Sequence, residues 1–106
     1  MSTKTTKTRP FDVAEHLRDE EDIAAYLTLV IEEGDTGLLA AALGDAARAR
    51  GMAQVAADAG IAREALYKAL RPDASPRFDT IARVCKALGV SLVAMPSGRT
   101  ADRAAG

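Results

Sequence analysis

Residues 55–70, VAADAGIAREALYKAL, constrain the fold more than any other stretch of this chain. Val55, Ala56 and Ala59 make a short apolar helical stripe. Gly60 stands where the chain must reverse, a position suited to positive φ, and Ile61 follows, turned to the core. Ala65, Leu66, Ala69 and Leu70 then recur at helical spacing as the inner stripe of a second helix. Arg63, Glu64, Tyr67 and Lys68 are left on its outer face. Small alanines let two helices approach closely at a steep angle, and a helix set that way can enter the major groove of DNA. The pattern predicts a helix-turn-helix with helices at about 53–59 and 63–70.

The flanking segments extend the helical reading. Asp19 is a good N-cap, followed by Glu20, Glu21 and Asp22 at the positive end of a helix dipole. Ile23, Tyr26, Leu27, Val30 and Ile31 mark one face, and Gly34 closes that helix. Asp35 caps the next, whose stripe is Leu38, Leu39, Ala42, Leu43, Ala46 and Ala47, ending at Gly51. A short turn starts near Asp12, with Phe11, Ala14 and Leu17 apolar. Residues 71–77 are rich in turn formers, and Ser75-Pro76 reads as an N-cap with proline at the first helical position. Phe78, Ile81, Val84, Cys85 and Leu88 define a last helix, stopped by Gly89. Residues 90–95, VSLVAM, are a strand candidate ended by Pro96. A lone strand lacks a partner in its own chain, so either a second copy pairs with it or the segment lies extended against the core.

The expected fold is therefore all-α: a repressor-like helix-turn-helix bundle with an extra N-terminal helix and a short C-terminal strand. Its parts are a disordered tail over 1–10, a helical extension over 11–35, the DNA-binding domain over 36–96, and a flexible tail over 97–106. One domain fits 106 residues, nearly half of them apolar. A single cysteine excludes an intramolecular disulfide, and Cys85 on an apolar face reads as a buried, inert thiol. No stretch is apolar enough to cross a membrane, and the basic, polar start is unlike a secretory signal, so the expected setting is cytoplasmic.

The formal net charge of −1 hides an asymmetry. Residues 1–35 hold four basic and nine acidic side chains, a net −5, whereas residues 36–106 hold ten against six, a net +4. The basic part contains the helix-turn-helix, and local distribution matters more to DNA than the total.

From Phe11 to Pro96 the chain resembles the HigA-like addiction-module antidote family, a branch of the phage-repressor-type helix-turn-helix proteins. Phe11-Asp12-Val13-Ala14-Glu15-His16-Leu17, Gly34-Asp35 and Leu39-Ala40-Ala41-Ala42-Leu43-Gly44-Asp45 carry the likeness. It continues through Ala47-Arg48-Ala49-Arg50-Gly51-Met52, Gln54-Val55-Ala56, Gly60-Ile61 and Arg63-Glu64-Ala65-Leu66-Tyr67. Pro76-Arg77-Phe78-Asp79-Thr80 and Ala87-Leu88-Gly89 complete it. The resemblance implies an antitoxin of a type II toxin–antitoxin pair, one that neutralises a RelE/ParE-like toxin and binds operator DNA to repress its own operon. A stand-alone repressor without a toxin is the alternative. Two positions depart from the repressor pattern. Met52 stands where a phosphate-clamping Gln is usual, with Gln54 two residues later, and Ala62 replaces the usual capping Ser or Thr.

Candidate contacts follow. Arg63 suits guanine, and Glu64 either accepts from cytosine or pairs with Lys68 along the helix. Tyr67 either touches a phosphate or thymine methyl or packs half-buried beside the loop. Lys68, Arg71, Arg77 and Gln54 are candidates for phosphate. The acidic N-terminal part suits a basic, RNA-cleaving toxin, with Phe11, Asp12, Glu15 and Leu29 as contacts. His16 has no companion ligands at metal spacing, no nucleophile lies beside a base, and residues 19–22 fall around a helix start without converging. Neither enzyme nor metal site nor cofactor is expected, and a homodimer is.

Overall fold

A computed structural model of the protein describes residues 13–97, and every regular element in them is helical. A 3-10 turn at Val13–His16 leads into α1 (Glu20–Glu33), α2 (Thr36–Arg50), α3 (Met52–Ala59), α4 (Arg63–Ala69) and α5 (Phe78–Leu88). The expected all-α class is what the chain adopts.

Helix ends follow local chemistry. The Asp19 carboxylate accepts the Asp22 N–H at 2.9 Å, and the Asp22 carboxylate accepts the Arg18 N–H at 2.9 Å, a reciprocal cap at the start of α1. Asp35 caps α2 by accepting from Gly37 and Leu38, at 2.9 and 3.2 Å. Gly34, Gly51, Gly60 and Gly89 end α1, α2, α3 and α5.

Leu17, Ile23, Leu27 and Val30 join Leu43, Ala46, Val55, Leu66, Val84 and Leu88 in one core. Within it α1 packs along α2, α3 along α5, and α4 against α3. Two features set the α2 contacts. Gly44 is buried, and a Cβ there would stand 3.1 Å from the Leu70 carbonyl oxygen, so glycine lets the end of α4 lie against α2. At the next residue, the buried carboxylate of Asp45 accepts the Tyr26 hydroxyl at 2.9 Å and Arg48 Nη2 at 2.6 Å. A buried carboxylate needs such partners, and this pair ties α1 to α2. Cys85 is buried, and burial pushes its thiol pKa above the ordinary value, consistent with an inert packing group.

Several expectations need correction. Residues 90–95 form no strand; the backbone of residues 91–97 makes no hydrogen bond among the described residues, which include no second strand to pair with it. Ser75 does not cap α5. Arg77 holds the N-cap position without a side-chain bond, and the helix starts at Phe78, two residues later than Pro76 suggests. Ala65 is exposed, whereas Leu66 and Leu70 are buried and Ala69 is half-buried. Ile31, Leu38 and Phe78, read as inward positions, are exposed as well.

Candidate nucleic-acid interface

The site is built on the turn between α3 and α4. Gly60 adopts φ 70°, ψ 35°, which allows its own N–H to reach the Ala57 carbonyl at 3.2 Å and the Ile61 N–H to reach Ala56 at 3.0 Å. Both are the bonds of a left-handed helix stop. Ile61 drops toward the core, Ala62 is extended, and α4 begins at Arg63. Ala62 offers no side-chain cap, so the first turn of α4 keeps its backbone donors unclaimed by any side chain.

Leu66 is fully buried, with Leu70 and the half-buried Ala69 beside it. This inner edge turns Arg63, Glu64, Tyr67 and Lys68 outward together, all four exposed. The Arg63 guanidinium lies 5.7 Å from the Tyr67 ring centroid, a cation–π contact that steadies both side chains on one surface. Tyr67 is 47% exposed, and with Ala62, Arg63 and Glu64 it lines a shallow, open depression. No ion pair joins Glu64 to Lys68.

Ion pairing divides the cations. Arg18 pairs with Asp22, Arg48 with Asp45, Arg50 with Glu20 and Arg83 with Asp79. Among the described residues, Arg63, Lys68, Arg71, Arg77 and Lys86 have no acidic partner. Four of those five are the cations named from the sequence: two stand on α4 and two on the exposed loop that follows it. Gln54 has a partner of its own. It is exposed near the start of α3, but its Nε2 donates to Asp58 Oδ1 at 2.9 Å, so a phosphate would have to displace a carboxylate to engage it. The i,i+4 spacing of Gln54 and Asp58 was the available signal.

The residues assigned to a protein partner lie elsewhere. Glu15 is exposed on the 3-10 turn, and Leu29 is 65% exposed on the outer side of α1. Phe11 and Asp12 fall outside the described residues. The acidic start of α1 is well ordered chemically. The Glu20 backbone N–H, then Arg50, hold the Glu20 carboxyl below its usual pKa, and the Arg18 N–H does the same for Asp22. Among the described residues no three His, Cys, Asp or Glu side chains converge on a metal position, and no helix is long and apolar enough to cross a membrane.

The geometry thus separates a cationic, hydrogen-bonding face on α4 and its loop from an acidic helix start. Comparison with known proteins places the chain in a family. Residues 7–96 match the family described as probable addiction module antidote protein, and the chain belongs to it. An uncharacterized protein of Haemophilus influenzae is 51% identical over 86 residues, covering 81% of this chain and 89% of that protein. No solved structure matches.

Proposed function

We propose that the protein is the antitoxin of a type II toxin–antitoxin pair, binding a RelE/ParE-like toxin and, as a homodimer, the operator of its own operon. Family membership supports the antidote role. The observation that carries the DNA half is the set of unpaired cations, Arg63, Lys68, Arg71 and Arg77, on one helix and its following loop. Cations without a carboxylate partner are free to meet a polyanion, and neutralising phosphates with them releases counterions. In this reading α4 is the recognition helix of a repressor-type helix-turn-helix. Arg63 reads guanine, Glu64 and Tyr67 contact neighbouring base edges or a phosphate, and Lys68, Arg71, Arg77 and Gln54 hold the backbone. The net −5 of residues 1–35 steers a basic toxin, with Phe11, Asp12, Glu15 and Leu29 at the contact.

The test has two arms. Titration of the chain with its upstream DNA should reveal an inverted repeat whose half-sites lie roughly 34 Å apart. Arg63→Ala should weaken specific more than non-specific binding, by about 1–3 kcal/mol. Lys68→Ala should weaken both alike and lower the salt slope by about 1. Operator preference untouched by Arg63→Ala would exclude α4 as the reading helix. Co-expression with any small basic protein encoded beside it, scored by growth and co-purification, tests the antitoxin arm. A gene context with no growth inhibitor would favour a stand-alone repressor.

A further inference from the structure

The outer surface of α4 carries a feature that phosphate-binding cations do not explain. Ala62, Arg63, Glu64 and Tyr67 line a shallow depression open to solvent. Ala62 is exposed on extended backbone just before the helix, and its side chain is a single methyl. Tyr67 stands one turn beyond Arg63 and is exposed. The Arg63 guanidinium lies 5.7 Å from the Tyr67 ring centroid, so ring and cation are already held together. Glu64 completes the lining and forms no ion pair. An alanine methyl and a ring thus stand beside one cation and one carboxylate.

We propose that this depression seats the C5 methyl of a thymine next to the guanine that Arg63 contacts, which makes Ala62 and Tyr67 specificity-determining residues. Base edges in the major groove present donors, acceptors and one projecting apolar group, the thymine methyl. Apolar side-chain surface carried into that groove sheds its water against that group. A phosphate does not suit the same place. Glu64 puts a carboxylate in the lining, which repels phosphate oxygens, and the Ala62 side chain has nothing to donate. Lys68, Arg71 and Arg77 are the unpaired cations left for the phosphates. The contact between Arg63 and Tyr67 fixes the neighbour. A guanidinium kept beside the ring loses less freedom on meeting guanine, and it places the ring at the adjoining base pair.

The methyl contact rests on the DNA half of the proposed function and is tested on the DNA as well as on the protein. Each thymine of an operator half-site is replaced in turn by deoxyuridine, which pairs alike and lacks only the methyl. The wild-type chain should bind about 4-fold more weakly at one such position, beside the guanine whose preference Arg63→Ala relaxes. Tyr67→Ala should bind the thymine and deoxyuridine forms equally, whereas Tyr67→Phe, which keeps the ring, should retain the preference. Lys68→Ala should weaken both forms alike and retain it too. Equal wild-type binding to every deoxyuridine form, with the guanine preference still lost in Arg63→Ala, would overturn the methyl contact alone. A thymine preference that survives Tyr67→Ala would place the methyl elsewhere and overturn it as well. Tighter binding on C5 methylation of a half-site cytosine, with no loss at any thymine, would give the depression to methylcytosine and overturn the thymine assignment. A chain with no sequence-specific DNA binding would overturn the DNA half and the methyl contact together.

Discussion

α1 and α4 are both held by the same core, yet they are held in opposite ways. α1 has fourteen residues, three buried anchors in Ile23, Leu27 and Val30, a hydrogen bond from Tyr26 to Asp45, and caps at both ends. α4 has seven residues, one buried side chain, no side-chain cap at Ala62, and an end at Leu70 without a glycine. Helices this short are unstable by themselves, so α4 exists because Leu66 is seated and the Gly60 turn aims it. The consequence is functional. Little of α4 is committed to packing, and its outer side chains can be chosen for a partner. α1 spends one side on the core and keeps an acidic start and an exposed Leu29 on the other.

The largest way to break this contrast is at the anchors. Leu66→Ala and Ile23→Ala should each cost about 2–5 kcal/mol in denaturant unfolding, since both sites are fully buried. Their local effects should differ. Leu66 is the one buried residue within α4, so its loss should release α4 amides to hydrogen exchange well before the rest of the core. Ile23→Ala leaves Leu27 and Val30 in place, and α1 should stay protected until global unfolding. Equal local protection of the two helices in both variants would refute the single-anchor account of α4.

A smaller test reverses the capping difference. Asp19→Ala removes the acceptor of the Asp22 N–H and should destabilise by about 0.5–2 kcal/mol. Ala62→Ser places an acceptor at an extended N-cap position with none, φ −62° and ψ 141°, and should stabilise by a similar amount, roughly 1 kcal/mol. Thermal melts of the two variants should move in opposite directions. No change on Ala62→Ser would mean that the start of α4 does not limit stability.

These contrasts show what could be read before the structure. The caps at Asp19 and Asp35 and the stops at Gly34, Gly51, Gly60 and Gly89 were legible, because a cap is decided by a few neighbouring residues. The outward set Arg63, Glu64, Tyr67 and Lys68 was legible for the same reason, once Leu66 was placed inside. What depended on distant neighbours was not. The exposure of Ala65 and Phe78 is set by where α3 and the C-terminal segment lie, not by helical period. Residues 90–95 have strand composition, but a strand is a property of two segments, and one chain provides only one. The Tyr26–Asp45–Arg48 cluster was missed although its signal was present: an Asp at the centre of an alanine-rich stripe, with Arg three residues on.

Proton titration gives the finest separation between the two helices, and the smallest effect. The start of α1 depends on carboxylates whose pKa values lie below the ordinary 4.5 for Glu20 and 3.8 for Asp22. Glu20 is lowered first by its own backbone N–H and then by Arg50, and Asp22 chiefly by the Arg18 N–H. A carboxyl depressed in the folded state binds fewer protons there than in the unfolded chain, so its contribution is complete above the ordinary value and fades as pH falls through the folded one. Glu20 is exposed and Asp22 partly so, which keeps the effect modest and sensitive to salt. The start of α4 has no capping carboxylate and should show no such dependence. Wild type and Asp22→Ala should therefore differ most in denaturant midpoint above the ordinary Asp value of 3.8 and draw together as the pH falls below it. The corresponding difference between wild type and Ala62→Ser should stay constant over the same interval, because a hydroxyl cap does not titrate there. Parallel wild-type and Asp22→Ala curves from pH 6 to pH 3 would show that the reciprocal cap at α1 contributes nothing through its charge.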